Sequence, residues 1–383
     1  MKLLPFLLPL LSRTKADEVL AENNPEHDKQ AADICKRFYD SRLDQDDTES
    51  VSVLNRGTIC VIYKCETSVA EHEPNQVVIR VDTNPVLNNN ETEIALVNLQ
   101  LSEQGARNKV YKWTETEKIE ELLVDMVDSP DLSNREVQAA VARQLAKMHS
   151  AEIDGIDKNR YREATDQGFW NTYNIKYHFG QIHRFMEFGI FPGTPDQVYS
   201  GMGLTKDELD SEIDFVEGIV HAYLAHKPET PVVSHNDCRE RNIMFNSKGD
   251  FDPESLTFVD FDLTAYGFRT WDVLYHMTKW LTPPSREETD RFVLAYCDAL
   301  TNNLIEYEDM HEMLDAFRPY VLLEQWMFVY VSSTNVKTSS LHCKLLIQAY
   351  DHPQYDNQFR QQYEAAISKF DRKLKRYDAN RFH

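Results

Sequence analysis

The stretch Pro231 to Asp272, PVVSHNDCRERNIMFNSKGDFDPESLTFVDFDLTAYGFRTWD, constrains this chain more than any other. It sets His235, Asp237 and Asn242 in one short segment, then runs through apolar Leu256 to Val259 into Asp260. The pattern reads as a loop, a short strand, a turn, a second strand and an acid. Singly, each residue has an ordinary structural role, since Asn favours turns and Asp often ends a strand. Together they form an uncommon set: an acid, an amide five residues on, and a second acid 18 residues beyond the amide at the end of an apolar strand.

Phosphoryl transfer asks a protein to orient a hydroxyl and to hold Mg²⁺ across a triphosphate, with little covalent work of its own. Asp237 suits acceptance of the hydroxyl proton, and Asn242 suits a turn back towards the metal, as in the catalytic loop of protein kinases. Asp260, followed by Phe261, supplies a second oxygen ligand of the kind Mg²⁺ prefers. These three are the expected catalytic residues, with Asn242 and Asp260 the expected metal ligands.

HNDCRERNIMF and FVDFDLTAYGFRTWDVLYHMTKW resemble the two signature segments of choline and ethanolamine kinases. Asp260-Phe-acid, then Tyr266-Gly-Phe-Arg-Thr-Trp-Asp272 and His276, is similar to that family's DFE, YNYRxFD and NHF order. The resemblance covers most of the chain from about residue 50. It implies an α+β, protein-kinase-like fold of two lobes, β-rich at the N-terminus and larger and helical at the C-terminus. It also implies ATP and Mg²⁺ as cofactors and choline or ethanolamine as acceptor, with phosphocholine or phosphoethanolamine feeding phospholipid synthesis. Asp272 would tie down the loop that supports the catalytic residues, a role compatible with capping the helix that follows it.

The expected division is a tail over 1–30, a nucleotide-binding lobe over 31–125 and a helical lobe over 126–383. Ala31, Ile34, Phe38 and Tyr39 recur at helical spacing, and Val51 to Cys65 reads as strand, turn, strand with Gly57 in the turn. By resemblance this hairpin covers the nucleotide phosphates, although Gly57 stands where choline kinases carry more glycines. Arg80 interrupts the apolar strand Gln76 to Val81. It is the expected grip on the α and β phosphates, since the family uses arginine where protein kinases use lysine. On the helix Thr92 to Gln104, Glu93 is the expected partner of that cation, or else it complements the helix dipole with Glu91. SEQGARNKVYKWTETEKIEEL resembles the family's SERxLGPKLY segment leading into LEEYIP, the linker where adenine meets backbone groups. Glu121 sits at that linker, either near the nucleotide or solvated.

The helical lobe begins with Ser133 to Ser150, where Ser133 and Glu136 form a capping-box pattern and His149 is expected to be buried. Aromatic residues over 169–191 suggest a helical insertion. Further helices are expected at 208–226, 286–302, 306–317, 319–338, 340–350 and 355–377.

A quaternary ammonium donates no hydrogen bond and is held by aromatic faces and carboxylates. Trp326, Tyr330 and Tyr275 are the expected substrate-binding residues beside Asp237. The chain departs from the family at Leu263, where a tyrosine is usual, and at Lys279, where a carboxylate normally faces the cation. Like charges about 4 Å apart cost about 4 kcal/mol at an effective dielectric of about 20, unless Lys279 turns to solvent. In the catalytic loop Arg239 and Arg241 replace glutamine and glycine; Arg239 is an expected phosphate contact, or else a surface flank. A kinase acting on another small alcohol or amine is therefore an alternative, and a nucleotide-binding pseudokinase is another.

A formal charge of −22 disfavours nucleic acid and anionic membrane surfaces and favours a cationic amino alcohol, although solubility alone accounts for much of it. Six cysteines without a CxxC pair indicate neither a disulfide framework nor a zinc site, so reduced thiols and a cytoplasmic location are expected. The leader MKLLPFLLPLLSRTKA has signal-peptide features, but it is interrupted by Pro5 and Pro9 and is too short for a stable membrane span. An apolar tail is the preferred reading and secretion the lesser one. A homodimer is an expectation from the family alone.

Overall fold

The computed structural model describes residues 25–40, 49–56, 60–68, 74, 76–82, 91–114, 117–122, 126–128, 134–156, 207, 218, 220, 223–246, 252, 255–261, 264–278 and 285–333. Along the chain come α1 (Pro25–Asp40), β1 (Glu49–Arg56), β2 (Cys60–Thr67), β3 (Gln76–Asp82) and α2 (Glu91–Glu103). Then follow β4 (Val110–Trp113), β5 (Lys118–Glu121), β6 (Met126–Asp128), α3 (Arg135–His149) and β7 (Val232–Ser234). A 3-10 turn (Glu240–Asn242) leads into β8 (Ile243–Asn246), β9 (Thr257–Phe258) and β10 (Ala265–Gly267). Helices α4 (Arg269–Thr278), α5 (Arg286–Ala299) and α6 (Tyr307–Ser333) complete the described chain. No described helix is long and apolar enough to cross a membrane.

Two compact units form: Met1–Ile156 with Glu240–Ala265, and Asp157–Arg239 with Tyr266–His383. The first is built on a sheet in the order β1-β2-β3-β5-β4, with a second sheet in the order β6-β8-β9. Alternation along β3 turns Val77, Ile79 and Val81 into the core, where they meet Val61, Tyr63 and Cys65 of β2 and Ile119 of β5. Ala31, Ile34, Cys35 and Tyr39, one face of α1, close the other side of that core. Polar clamps fix the helix at both ends: the Tyr63 hydroxyl donates to Asp28 at 2.7 Å, and Arg37 pairs with Glu117 at 2.7 Å.

Cys35 and Cys65 are joined by a disulfide between α1 and β2. This corrects the expectation of reduced thiols throughout. The two cysteines lie 30 residues apart in sequence, and only the packing of the helix on the sheet brings them together.

α3 starts one residue later than its sequence suggests. Asn134, with an extended backbone, is the cap, and its side chain accepts from the Glu136 amide at 2.8 Å. His149 at its end is fully buried, as expected.

In the second unit β7 pairs with β10, and α4 packs on α6 through Phe268 against Phe317 and Trp271 against Tyr320. The helix break expected at 318 does not occur, because α6 runs unbroken through Pro319. Phe317, Tyr320 and Val321 are all buried around that proline. Their burial, about 1.5–3 kcal/mol per large apolar side chain, offsets the roughly 3 kcal/mol cost of an internal proline. Expected helices over 340–350 and 355–377, most of 208–226, the aromatic stretch 169–191 and the Gly57 turn lie outside the described residues.

Two predictions follow from this packing. Alkylation of native protein purified without reductant should leave Cys35 and Cys65 unlabelled and yield their cross-linked peptide; labelling of both thiols would refute the bond. Closing a loop of this length is worth about 3 to 4 kcal/mol, so replacing both cysteines by alanine should lower unfolding stability by that order. The second concerns His276 on α4, which is fully buried against Phe292 and has its pKa pushed down by burial to about 4. Burial also pushes His311 down. Unfolded histidine gains a proton below about pH 6.5 while native His276 does not, so stability should fall as pH drops from about 6.5 to about 5, by about 2 kcal/mol. His276→Gln should flatten that slope in urea unfolding, and an equally steep slope in the variant would refute the assignment.

Candidate active site

The segment between β7 and the 3-10 turn is shaped by a buried carboxylate. Asp272, one turn into α4 and fully buried, accepts from the backbone amides of His235 at 2.6 Å and Asn236 at 2.8 Å. Asn236 adopts a left-handed backbone, φ 63°, which asparagine tolerates better than most residues. That bend presents Asp237, whose Oδ1 accepts from the Tyr275 hydroxyl at 3.1 Å and whose Oδ2 lies 3.2 Å from Nε of Arg239. Tyr275 comes from α4, one turn beyond Asp272, and stacks on Trp271. One short helix therefore both bends the loop and holds the carboxylate it presents.

Beneath the loop, His276 hydrogen-bonds the backbone of Cys238, and its low pKa keeps it neutral near pH 7. The Cys238 thiol is buried, and burial pushes its pKa well up. A neutral thiol in that environment is not a nucleophile.

The first unit holds the other polar cluster. Asn242 ends the 3-10 turn, is buried, and its carbonyl accepts from the Val259 amide at 3.0 Å. With Ile243 paired to Phe258 across β8 and β9, Asn242 stands beside the residue that precedes Asp260. Asp260 has a left-handed backbone, φ 67°, and its side chain is about one-third exposed. A non-glycine residue held there by its surroundings is a common device at functional sites. Amide and carboxylate oxygens at adjoining strand ends are hard donors of the kind that Mg²⁺ accepts.

Arg80 on β3 is buried and donates through NH2 to Asp260 Oδ1 at 3.3 Å. Its other terminal nitrogen, NH1, lies 3.8 Å from Glu120 Oε1. Glu120, rather than its neighbour Glu121, is the buried acid of β5. Glu121 is exposed, and its carboxylate accepts from the Lys109 amide at 3.2 Å. Strand parity carried this information: Ile119 pairs with Ile79 on the core side, so Lys118 and Glu120 share the opposite face with Arg80. Sequence reasoning also missed Arg107, whose guanidinium ion-pairs with Glu120 and lies 4.3 Å over the Phe261 ring.

Of the other expected site residues, Gly57 lies outside the described residues, as do Leu263 and Lys279. Glu93 lies on α2, and Trp326 and Tyr330 lie on α6, but their side chains are outside what the structure describes. The described parts of the two units thus hold Asp237, Tyr275, Arg239 and Asp272 in one, and Asn242, Asp260 and Arg80 in the other.

A choline kinase A2 of Caenorhabditis elegans is 23% identical over 323 residues, covering 76% of this chain and 71% of that protein. A mouse choline/ethanolamine kinase is 26% identical over 161 residues, where the match spans 41% of this chain and only 34% of the mouse protein. Among solved structures, an ethanolamine kinase of Plasmodium vivax superposes with a TM-score of 0.59 at 17% identity, covering 86% of this chain and 89% of that one. A choline kinase of Cryptosporidium parvum gives 0.53 at 13% identity, with 91% and 97% covered. These likenesses establish the protein-kinase-like fold. The profile of the choline/ethanolamine kinases matches residues 51–356, well over half of the sequence, and the chain belongs to that family.

Proposed function

We propose that the protein transfers the γ-phosphoryl group of ATP to the hydroxyl of choline or ethanolamine in a Mg²⁺-dependent reaction. The observation that supports this reading is the pairing of β8 with β9, in which Asn242 bonds the backbone of Val259, the residue before Asp260. Asn242 and Asp260 would hold the metal, which when bound neutralises charge developing on the phosphates. Arg80 would grip the nucleotide phosphates, and Arg239 would add positive charge beside the base.

Asp237 orients the acceptor hydroxyl and takes its proton as the new oxygen–phosphorus bond forms and the bond to the ADP oxygen breaks. Tyr275 and Arg239, each on one carboxylate oxygen, fix the direction in which Asp237 accepts. Aromatic residues of α6, Trp326 and Tyr330, would face the cationic end of the substrate with Tyr275. The names of the relatives support an amino alcohol as acceptor. Lys279 and Leu263, both departures from the family pattern, favour a second reading in which the acceptor is another small alcohol or amine. A cytoplasmic site of action suits ATP supply, whereas the Cys35–Cys65 bond suits an oxidising compartment.

Purified protein assayed for ADP release with ATP, Mg²⁺ and separate acceptors should turn over with choline or ethanolamine. Asp237→Ala should lower kcat by about a thousandfold, within the range for a lost general base, while nucleotide still binds. Asp260→Ala should raise the Mg²⁺ concentration needed for activity. Nucleotide binding without amine-dependent turnover in the wild type would move the assignment to another acceptor or to a pseudokinase. Substantial activity in Asp237→Ala would remove Asp237 from its role.

A further inference from the structure

We propose that Arg107 is a positioning residue that keeps Glu120 from drawing the Arg80 guanidinium away from the nucleotide phosphates. This rests on the kinase reading of the site.

A buried carboxylate with one cationic neighbour draws that neighbour close, because a lone buried charge is costly. Glu120 and Arg80, both buried, nevertheless stand 3.8 Å apart, too far for a hydrogen bond. Glu120 Oε1, the oxygen facing Arg80, accepts no hydrogen bond among the described residues. Its other oxygen, Oε2, is engaged by NH2 of Arg107 and by the Asn108 amide at 3.1 Å. Arg107 thus supplies the compensating charge, and the grip of Glu120 on Arg80 stays long.

Arg107 is itself well fixed. Its NH1 donates to Asn98 of α2, its Nε donates to Asn108 Oδ1 at 3.2 Å, and its plane lies 4.3 Å over Phe261, the residue after Asp260. The one side chain therefore ties α2, β5 and the Asp260 turn together. It also joins Arg80 and Lys118 around Trp113, with the three cations 5.3, 5.9 and 5.5 Å from that ring. Buried Glu120 and part-exposed Asp260 are two acids that face this group. Arg107-Asn108 stands where the resembling family segment SERxLGPKLY has Gly-Pro.

The test is calorimetric titration of full-length protein with Mg-ATP, accompanied by steady-state kinetics and thermal melts. Arg107→Ala should weaken nucleotide binding about tenfold, about 1.4 kcal/mol, and should raise KM for ATP more than it lowers kcat, with KM for the amine unchanged. Adding Glu120→Gln to Arg107→Ala should restore most of the affinity, since it removes the acid that would otherwise seize Arg80. A purely architectural role predicts the opposite, a lowered melting temperature and no rescue by the second change. Should Arg107→Ala fail to fold, Arg107→Lys, which keeps the charge but loses the fork, should show a smaller loss, also rescued by Glu120→Gln. Unchanged binding in Arg107→Ala, or a double variant as weak as the single, overturns the proposal. A wild-type chain that binds no nucleotide overturns the kinase reading, and this proposal with it.

Discussion

Two backbone amides pointing at one buried carboxylate hold the loop that carries Asp237 in shape. The amides of His235 and Asn236 both end on Asp272, and these bonds help to sustain the left-handed bend at Asn236. Charge-assisted hydrogen bonds are worth about 1.5–3 kcal/mol each, whereas a non-glycine residue in that conformation costs about 1–3 kcal/mol, near the lower end for asparagine. The bonds win. Since the same helix supplies Tyr275 to Asp237, the direction of that carboxylate and the bend of its loop are set by one rigid element.

The first unit solves a different problem, which is to bury several positive charges without letting them neutralise one another's partners. Arg80, Arg107 and Lys118 share one aromatic ring, and the acid among them faces two of the three. Arginine suits such a site because its planar fork meets several acceptors at once while its face lies on Phe261 or Trp113. The strand pairing of β3 with β5 makes the arrangement possible by putting Arg80, Lys118 and Glu120 on the same side of the sheet.

Local chemistry was readable from the chain, and long-range chemistry was not. Asp237, Asn242 and Asp260 announce themselves by spacing within one short stretch, and Asp272 follows from the segment after it. The order of strands and helices around them is equally local. The choice between Glu120 and Glu121 depends on which face of β5 meets β3, a matter of register between strands distant in sequence. The Cys35–Cys65 bond has no motif at all, since helix and strand meet only after the core forms. Pro319 would ordinarily end a helix, and only the buried side chains on either side keep α6 continuous. Ser133 and Asn134 are both good caps by composition, and Asn134 is the one that caps α3.

Cys238, directly after the proposed base, has a further consequence. Its thiol is sealed in and held protonated, so a thiol reagent in solution can reach it only when the loop leaves the surface of α4. The rate at which that single sulfur is modified therefore measures how often the loop opens. A compound that seats itself against Asp237 and closes the loop would register as slower modification, even if it carried no chromophore and underwent no reaction.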